Sequence, residues 1–314
     1  MTEKRALVHT IALFLLPIVV AAFGWSVLTA LLVVLIMLLW RWVISLSTFI
    51  RPENVPPVVL ETISISHFAE KVRWNMDAAG IDYVERTAGG TLGAFYTGRT
   101  VPRMKMTTGA VRSRIGNSAE ILRYLWGAYS ATHPETTRHL EPTPDRLELE
   151  RRLDRYGTSL QIWIYYHVLD DRQLTLRAWG AGDPRVPPWQ RWALKVLFPI
   201  QAVLIRQSFR VSPTSYRKSS ERIAELLDSV ETELADGRRS ILGGDRNFTD
   251  YTFAALSGPW LQPEGYGAGK ADAVRFDRER MPAAMREDAE RWCEDHPNVV
   301  KWVEKLYAEE RRPK

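Results

Sequence analysis

Hydrophobic and polar positions follow three successive patterns along the chain. Residues 6–40 contain no Asp, Glu, Lys or Arg. From Val58 onward, short apolar stretches rich in β-branched residues alternate with segments of helical spacing, and beyond Pro144 only the helical spacing recurs. The patterns therefore predict an apolar N-terminal part, then an α/β unit, then an all-helical part.

The apolar N-terminal run is longer than one membrane span requires. At about 1.5 Å per residue a single helix over this run would be roughly 50 Å long, against about 30 Å of hydrocarbon. A turn near Gly24 predicts instead two transmembrane helices, over 6–23 and 25–47, within a membrane anchor of residues 1–50. Basic residues flank both outer ends, which predicts membrane localisation with the soluble domain facing the cytoplasm. A signal peptide over 1–22 and a buried pair of core helices are the alternatives.

A proline-rich linker over 51–57 leads into an α/β unit predicted over 58–130. Its predicted elements are, in order, a strand over 58–64, a helix over 67–79, strands over 81–86, 100–106 and 110–115, and a helix over 118–125. Gly-rich residues 88–98 are predicted to be irregular. The resulting βαβ–ββα order is typical of a compact α/β domain.

The rest of the chain, residues 144–312, is predicted to form an all-helical domain. Segments with helical periodicity lie at 145–169, 189–209, 219–234, 249–256 and 299–310. The predicted fold class is therefore α+β, with a small α/β domain and an all-helical domain preceded by transmembrane helices.

Composition excludes several kinds of site. Cys293 is the single cysteine, which excludes an intramolecular disulfide and cysteine-based zinc or iron–sulfur centres. The six histidines lack ligand spacing, so no metal is expected. The net charge of +5 comes without a nucleic-acid recognition motif, so no nucleic-acid partner is expected either.

Two stretches concentrate basic residues. Residues 99–123 hold six Lys or Arg against Glu120 alone, which is typical either of a positive funnel for an anionic ligand or of a solvated basic face. Residues 184–220 hold seven Lys or Arg and no acidic residue, interleaved with apolar and aromatic side chains. We predict that this second stretch contacts anionic membrane lipid, and a pair of core helices with basic outer faces is the alternative.

Three places in the α/β unit combine polar groups with the start of an element. Ser66 precedes the first helix, where its hydroxyl either stabilises an anion such as a thiolate or only caps the helix. Pro102 follows Val101 at the start of a strand-like run, where a cis peptide would present backbone to a ligand and a trans edge-strand proline is the alternative. Asn117 and Ser118 open the next helix and suit a carboxylate, or simply cap it.

In their order and spacing these residues resemble the cytosolic glutathione transferase superfamily. The resemblance covers about residues 58–312. It implies a thioredoxin-like glutathione-binding domain followed by an all-helical domain. The segments that carry the resemblance are 66–74, with the active-site Ser or Cys, 80–85, 100–102, with the cis-proline, 115–125, 240–249 and 296–302.

The resemblance implies glutathione as a co-substrate, without a metal. Ser66 would donate a hydrogen bond to the glutathione sulfur. Val101 would bind the cysteinyl backbone, with Pro102 shaping the turn, and Asn117 and Ser118 would hold the γ-glutamyl group. A small hydrophobic electrophile would bind between the two domains, and a homodimer is expected on the same ground.

The function predicted from sequence is therefore a membrane-anchored glutathione transferase that conjugates the glutathione thiolate to an apolar electrophile. The alternative is a non-catalytic glutathione-transferase-like binding or scaffolding module at a membrane.

Three positions depart from the superfamily pattern. Asn117 stands where an acidic residue is common, which weakens or moves recognition of the γ-glutamyl amine. Thr252 stands where Asp usually closes the capping box before the core helix, and Asp250, two residues earlier, indicates a shifted or a looser cap. His67 stands where Pro is common and is interpreted as an exposed histidine in the first helical turn. A polar neighbour of the sulfur is the alternative for His67.

Overall fold

The computed structural model of the chain describes residues 27–46, 58–90, 101–108, 111–275 and 278–311. The chain divides into two compact units. One comprises Met1–Pro57 with Met106–Ser113, and the other comprises Val58–Lys105 with Arg114–Lys314.

Helix α1, at Val27–Leu46, lies in the first unit and coincides with the second predicted transmembrane helix. The first predicted helix, over 6–23, lies outside the described residues. Among the described residues no helix is long and apolar enough to cross a bilayer. The prediction of membrane localisation through transmembrane helices is therefore wrong.

The described part of residues 58–129, which we call the α/β half, contains the four strands of one sheet and two of the helices given below. The elements are β1 (Val58–Thr62), α2 (His67–Ala78), β2 (Val84–Thr87), β3 (Arg103–Thr108), β4 (Val111–Gly116) and α3 (Ser118–Tyr129). The strand order is β2-β1-β3-β4, and β1 pairs in parallel with β2 so that Val59 lies opposite Val84. Parallel neighbours need a crossover connection, which α2 supplies. The predicted βαβ–ββα order is confirmed.

Residues 134–311, which we call the helical half, confirm the predicted helical C-terminal part. The helices are α4 (Pro134–Thr137), α5 (Pro144–Val168), α6 (Arg172–Ala178), α7 (Pro188–Ser208), α8 (Pro213–Leu234), α9 (Phe248–Leu261), α10 (Ala283–Asp295) and α11 (Pro297–Glu310). Helices α4, α6 and α10 were not predicted. The predicted start of α8 at residue 219 was too late, since Ser212 and Ser215 form a capping box at the true start of that helix.

One core joins the α/β half to the helical half. Helix α9 is buried along its whole length and packs against α2, α5 and α11. Trp74 of α2 belongs to the same cluster of buried apolar side chains as Trp163 and Trp260 of the helical half. The predicted domains 58–130 and 144–312 thus share a core, and their boundaries stay predictions.

The basic stretch 184–220 contains α7, whose exposed face is apolar. Trp192, Val196, Ile200 and Val203 recur at helical spacing and are each more than half exposed. The alternative of core helices with basic outer faces therefore does not describe α7. The predicted contact with membrane lipid and the expected homodimer stay predictions.

A partly buried ion-pair cluster links β2 to α2 and to the segment after α9. The Glu85 carboxylate lies 2.8 Å from the Arg73 guanidinium and 2.8 Å from the Lys270 ammonium. Burial alone would raise the pKa of Glu85, but the charges of Arg73 and Lys270 outweigh burial and lower it to about 2. The cluster therefore favours the folded state most when Glu85 is ionised.

Protein stability is expected to fall as the pH drops from about 4.5, the ordinary pKa of Glu85, to about 2. The folded-state pKa is the lower one, so the contribution is complete above pH 4.5 and is lost as the pH approaches 2. It amounts to roughly 3 kcal/mol. Chemical denaturation at a series of pH values measures the loss. Glu85→Gln should flatten the curve in this window, and an unchanged curve would contradict the assignment.

Candidate functional site

Ser66 occupies the junction between β1 and α2. Its Oγ accepts a hydrogen bond from the Ala69 N–H at 3.2 Å, and its own backbone N–H donates to the Ile63 carbonyl at 3.0 Å. The side chain is therefore the N-cap of α2. A hydroxyl that accepts one bond keeps its own proton to donate. The capping role and the predicted donor role are thus compatible.

Val101 and Pro102 lie immediately before β3. The peptide bond between them is cis. This agrees with what the resemblance implied and excludes the alternative of a trans edge-strand proline. Val101 is half-buried and lines the cavity described below, whereas Pro102 is buried and is not among the residues that line it.

Asn117 and Ser118 begin α3. Asn117 has a φ of 68° and a ψ of 129°, a positive-φ conformation outside the left-handed helical region. Its Oδ1 accepts a hydrogen bond from the Ala119 N–H at 3.1 Å, so this side chain caps the helix. Ser118 is buried and lines the same cavity as Asn117 and Ser66.

A cavity of about 580 Å³ lies between the α/β half and the helical half. Ser66, Val101, Asn117 and Ser118 all line it, so four of the five predicted site residues converge there. The helical half supplies most of the remaining wall, and most of the side chains that it supplies are apolar, including Ile164, Tyr165, Trp179, Ile205, Phe209 and Met285. A mostly apolar cleft of this size with a few convergent polar groups is typical of a small-molecule site.

Helix α5 adds a polar stripe to the cavity that was not among the predicted site residues. Asp154, Thr158 and Gln161 line the cavity at spacings of four and three residues, which places them on one face of the helix. Asp154 is held by Lys71 of α2, whose buried Nζ lies 3.0 Å from Asp154 Oδ1. The spacing of these three residues indicates a shared helical face, but it does not indicate which element that face contacts.

His67 is buried, so its interpretation as an exposed histidine was wrong. Its Nε2 lies 3.0 Å from the Gly157 carbonyl on α5. Gly157 also lets the neighbouring Phe68 pack closely against α5, since a Cβ there would lie 2.7 Å from Cζ of Phe68. Burial lowers the pKa of His67 to about 4, although the hydrogen bond to Gly157 opposes this. His67 is therefore neutral at pH 7 and brings no positive charge to the cavity.

Part of the basic segment 99–123 is neutralised by neighbouring acids. Lys105 forms a buried ion pair with Glu61. Arg123 pairs with Glu150 at 2.7 Å and also lies over the Phe248 ring. These two residues therefore add little to a positive funnel at the cavity.

The capping box that the resemblance implies lies at the start of α9. Asn247 is its N-cap, and Asp250 accepts a hydrogen bond from the Asn247 N–H at 2.8 Å. The box is complete and lies two residues earlier than the resemblance suggested. The cap is therefore shifted and not looser.

A scan against models of protein families found no match, and neither did a search among curated proteins. Solved structures gave matches over most of the chain. A glutathione S-transferase from Methylobacterium radiotolerans in complex with glutathione sulfonate is 15% identical, covering 82% of this chain and 95% of that one, at a TM-score of 0.48.

Two further solved structures give similar values. A theta class glutathione S-transferase from Xanthomonas axonopodis pv. citri with glutathione bound is 16% identical and covers 81% of this chain and 94% of that one, at a TM-score of 0.44. A glutathione transferase from Populus trichocarpa is 10% identical and covers 80% and 93%, at a TM-score of 0.47. Likeness at these identities and TM-scores does not assign a function to the chain.

Proposed function

We propose that this protein is a glutathione transferase. The observation that carries the proposal is the convergence of Ser66, Val101, Asn117 and Ser118 on one cavity whose opposite wall is largely apolar. Ser66 would donate its hydroxyl proton in a hydrogen bond to the glutathione sulfur. Val101 would bind the cysteinyl backbone beside Pro102.

The γ-glutamyl group of glutathione would lie at the start of α3. Ser118 and the N-terminal N–H groups of this helix would hold its carboxylate, because a helix N-terminus favours negative charge. Asn117 would contribute its amide. The apolar wall formed by the helical half would take a small hydrophobic electrophile.

The chemistry would consist of thiolate stabilisation followed by bond formation. A free thiol has a pKa of about 8.5, and each unit of lowering needs roughly 1.4 kcal/mol of preferential stabilisation of the thiolate. The Ser66 hydroxyl and the N-terminus of α2 would supply one to two units, in line with known helix-terminal thiols. The thiol proton would leave to solvent. The thiolate would then form a C–S bond to an electrophilic carbon of the acceptor, and the leaving group on that carbon would depart to solvent as an anion with the electron pair of the broken bond.

Ser66→Ala is expected to keep glutathione binding and to lower the rate of conjugation about a hundredfold, the usual effect of removing one donor to a developing anion. Retention on immobilised glutathione and a conjugation assay with an aromatic electrophile measure the two effects. Ser212→Ala is the matched control, because Ser212 is also an N-cap that accepts from a backbone N–H at 3.2 Å. Equal activity in both variants would contradict the role of Ser66.

A second candidate is a non-catalytic glutathione-transferase-like binding or scaffolding module. Asn117 favours it, because an amide replaces the carboxylate expected to bind the γ-glutamyl amine. The capping box no longer favours it, since Asp250 completes the box. Wild-type protein that neither binds immobilised glutathione nor conjugates it would support the module and contradict the transferase.

A further inference from the structure

The turn that carries Ser66 is held by side chains that do not line the cavity. Residues 63–65 connect β1 to Ser66, and every one of them makes a hydrogen bond to a distant residue. Such bonds matter in a catalytic turn, because a displacement of about 1 Å at a reacting group can lower the rate about a hundredfold.

The first contact comes from Arg73 on α2. Its guanidinium donates to the Ser64 carbonyl at 3.2 Å and to the Ile63 carbonyl at 3.4 Å. Arg73 is itself fully buried and paired with Glu85. This contact lies within the α/β half and ties the turn to its own helix.

The second contact comes from Tyr266, in a 3-10 turn at Tyr266–Gly269 after α9. The Tyr266 hydroxyl donates to the Ile65 carbonyl at 2.9 Å, one residue before Ser66. The Tyr266 ring lies directly on Gly258 of α9, where a Cβ would come within 2.1 Å of it. The core helix therefore fixes where this hydroxyl points.

The third contact comes from Asp183, in the loop between α6 and α7. The Ser64 hydroxyl donates to Asp183 Oδ2 at 2.6 Å, and both side chains are buried. Arg185 fixes the same carboxylate with Nε 3.0 Å from Oδ1 and Nη2 2.8 Å from Oδ2. Charge-assisted bonds of this kind hold their groups in a defined geometry.

We infer that Tyr266 and Asp183 are positioning residues, through which the helical half sets the position of the Ser66 hydroxyl against the glutathione sulfur. This inference rests on the proposed transferase function. Neither residue touches the cavity, so each acts through the turn. Because three contacts hold the turn, the Ser66 hydroxyl is already oriented when glutathione binds. No part of the binding free energy is then needed to order the turn.

The test compares the variants Tyr266→Phe and Ser64→Ala with wild-type protein. The first removes the bond to Ile65, and the second removes the hydroxyl that Asp183 holds without removing a buried charge. Tyr307→Phe is the matched control, because Tyr307 is a buried tyrosine whose hydroxyl donates to the backbone of α9 at 3.4 Å, away from the turn.

In Tyr266→Phe and in Ser64→Ala, we expect the midpoint pH, at which half of the bound glutathione is thiolate, to rise by about one unit. This rise corresponds to about a tenfold loss in thiolate stabilisation. The ultraviolet absorbance of the thiolate against pH measures this midpoint, and hydrogen exchange of residues 63–66 should become faster in both variants. Tyr307→Phe should leave the midpoint unchanged.

Two contrary results are distinguishable. Wild-type protein that forms a thiolate, together with turn variants whose midpoint matches that of Tyr307→Phe, would overturn the positioning roles and leave the transferase intact. Wild-type protein in which bound glutathione gains no thiolate would overturn the proposed function and this inference with it.

Discussion

Replacing Arg311 by Met is expected to lower the free energy of unfolding by about 3–5 kcal/mol, the usual effect of breaking a buried ion pair. Arg311 follows α11, and its side chain is 1% exposed. Its Nε lies 2.6 Å from Glu70 Oε1 and its Nη1 lies 2.7 Å from Asp77 Oδ2, both on α2. The end of the helical half is therefore attached to the helix that Ser66 opens.

The size of this effect follows from what the substitution leaves behind. Glu70 is fully buried, so water cannot replace the lost guanidinium. Arg73 remains as a partner, but at 3.5 Å and already engaged with Glu85. An uncompensated buried charge costs more than the intact pair contributed. Arg311 also lies over the aromatic ring of Trp74, so the substitution removes this cation–π interaction as well.

Arg151→Met is the matched control for this prediction. Arg151 pairs with Glu148 on the surface of α5, and both side chains are more than half exposed. Such pairs contribute about 1 kcal/mol or less. The double variant Glu70→Gln with Arg311→Met should recover part of the loss, because it removes the unpaired charge. Urea denaturation measures all three variants, and an Arg311→Met loss no larger than that of Arg151→Met would contradict the assignment.

The element order could be predicted because the strongest elements carry local patterns. Strand β1 is continuously apolar over its first three residues, and the long helix α5 has clear helical periodicity. Helix α10 was not predicted because its apolar stripe consists of Met285, Ala289 and Trp292 alone, within a segment rich in charged residues. Helix α6 is too short for its periodicity to stand out.

The candidate site could be predicted only where its residues are close in sequence to a recognisable junction. Ser66, Asn117 and Ser118 each mark the start of a helix, which composition and spacing reveal. The opposite wall of the cavity depends on how α5 packs against α2, which no local pattern encodes. The burial of His67 likewise involves a contact with α5 at Gly157, ninety positions further along the chain.

The capping box before α9 shows how resemblance can mislead where local chemistry does not. The superfamily pattern indicates Thr252 as the closing residue. An N-cap residue followed three positions later by an acid is the general signature of the box, and Asn247 with Asp250 satisfies it. The chain therefore has a complete capping box, which closes two residues earlier than the superfamily pattern indicates.

Asp250→Ala is expected to lower the free energy of unfolding by about 2–6 kcal/mol, because it leaves two buried N–H donors without a partner at a cost of roughly 1–3 kcal/mol each. Asp250 Oδ1 accepts from the Ile241 N–H at 2.9 Å, and Oδ2 accepts from the Asn247 N–H at 2.8 Å. The carboxylate thereby joins the segment before α9 to the first turn of the core helix. Burial raises the pKa of Asp250 against these bonds, so part of their energy offsets the cost of burial.

Thr252→Val provides the matched comparison, two residues along the same buried helix. Within the described part of the chain, the Thr252 hydroxyl has no hydrogen-bond partner, and the side chain is fully buried. Replacing an unpaired buried hydroxyl by a methyl group of similar size should be neutral or stabilising. Thermal or urea unfolding should therefore separate the two variants widely. If Thr252→Val were the more damaging of the two, the closing residue of the box would be Thr252, and the assignment to Asp250 would fail.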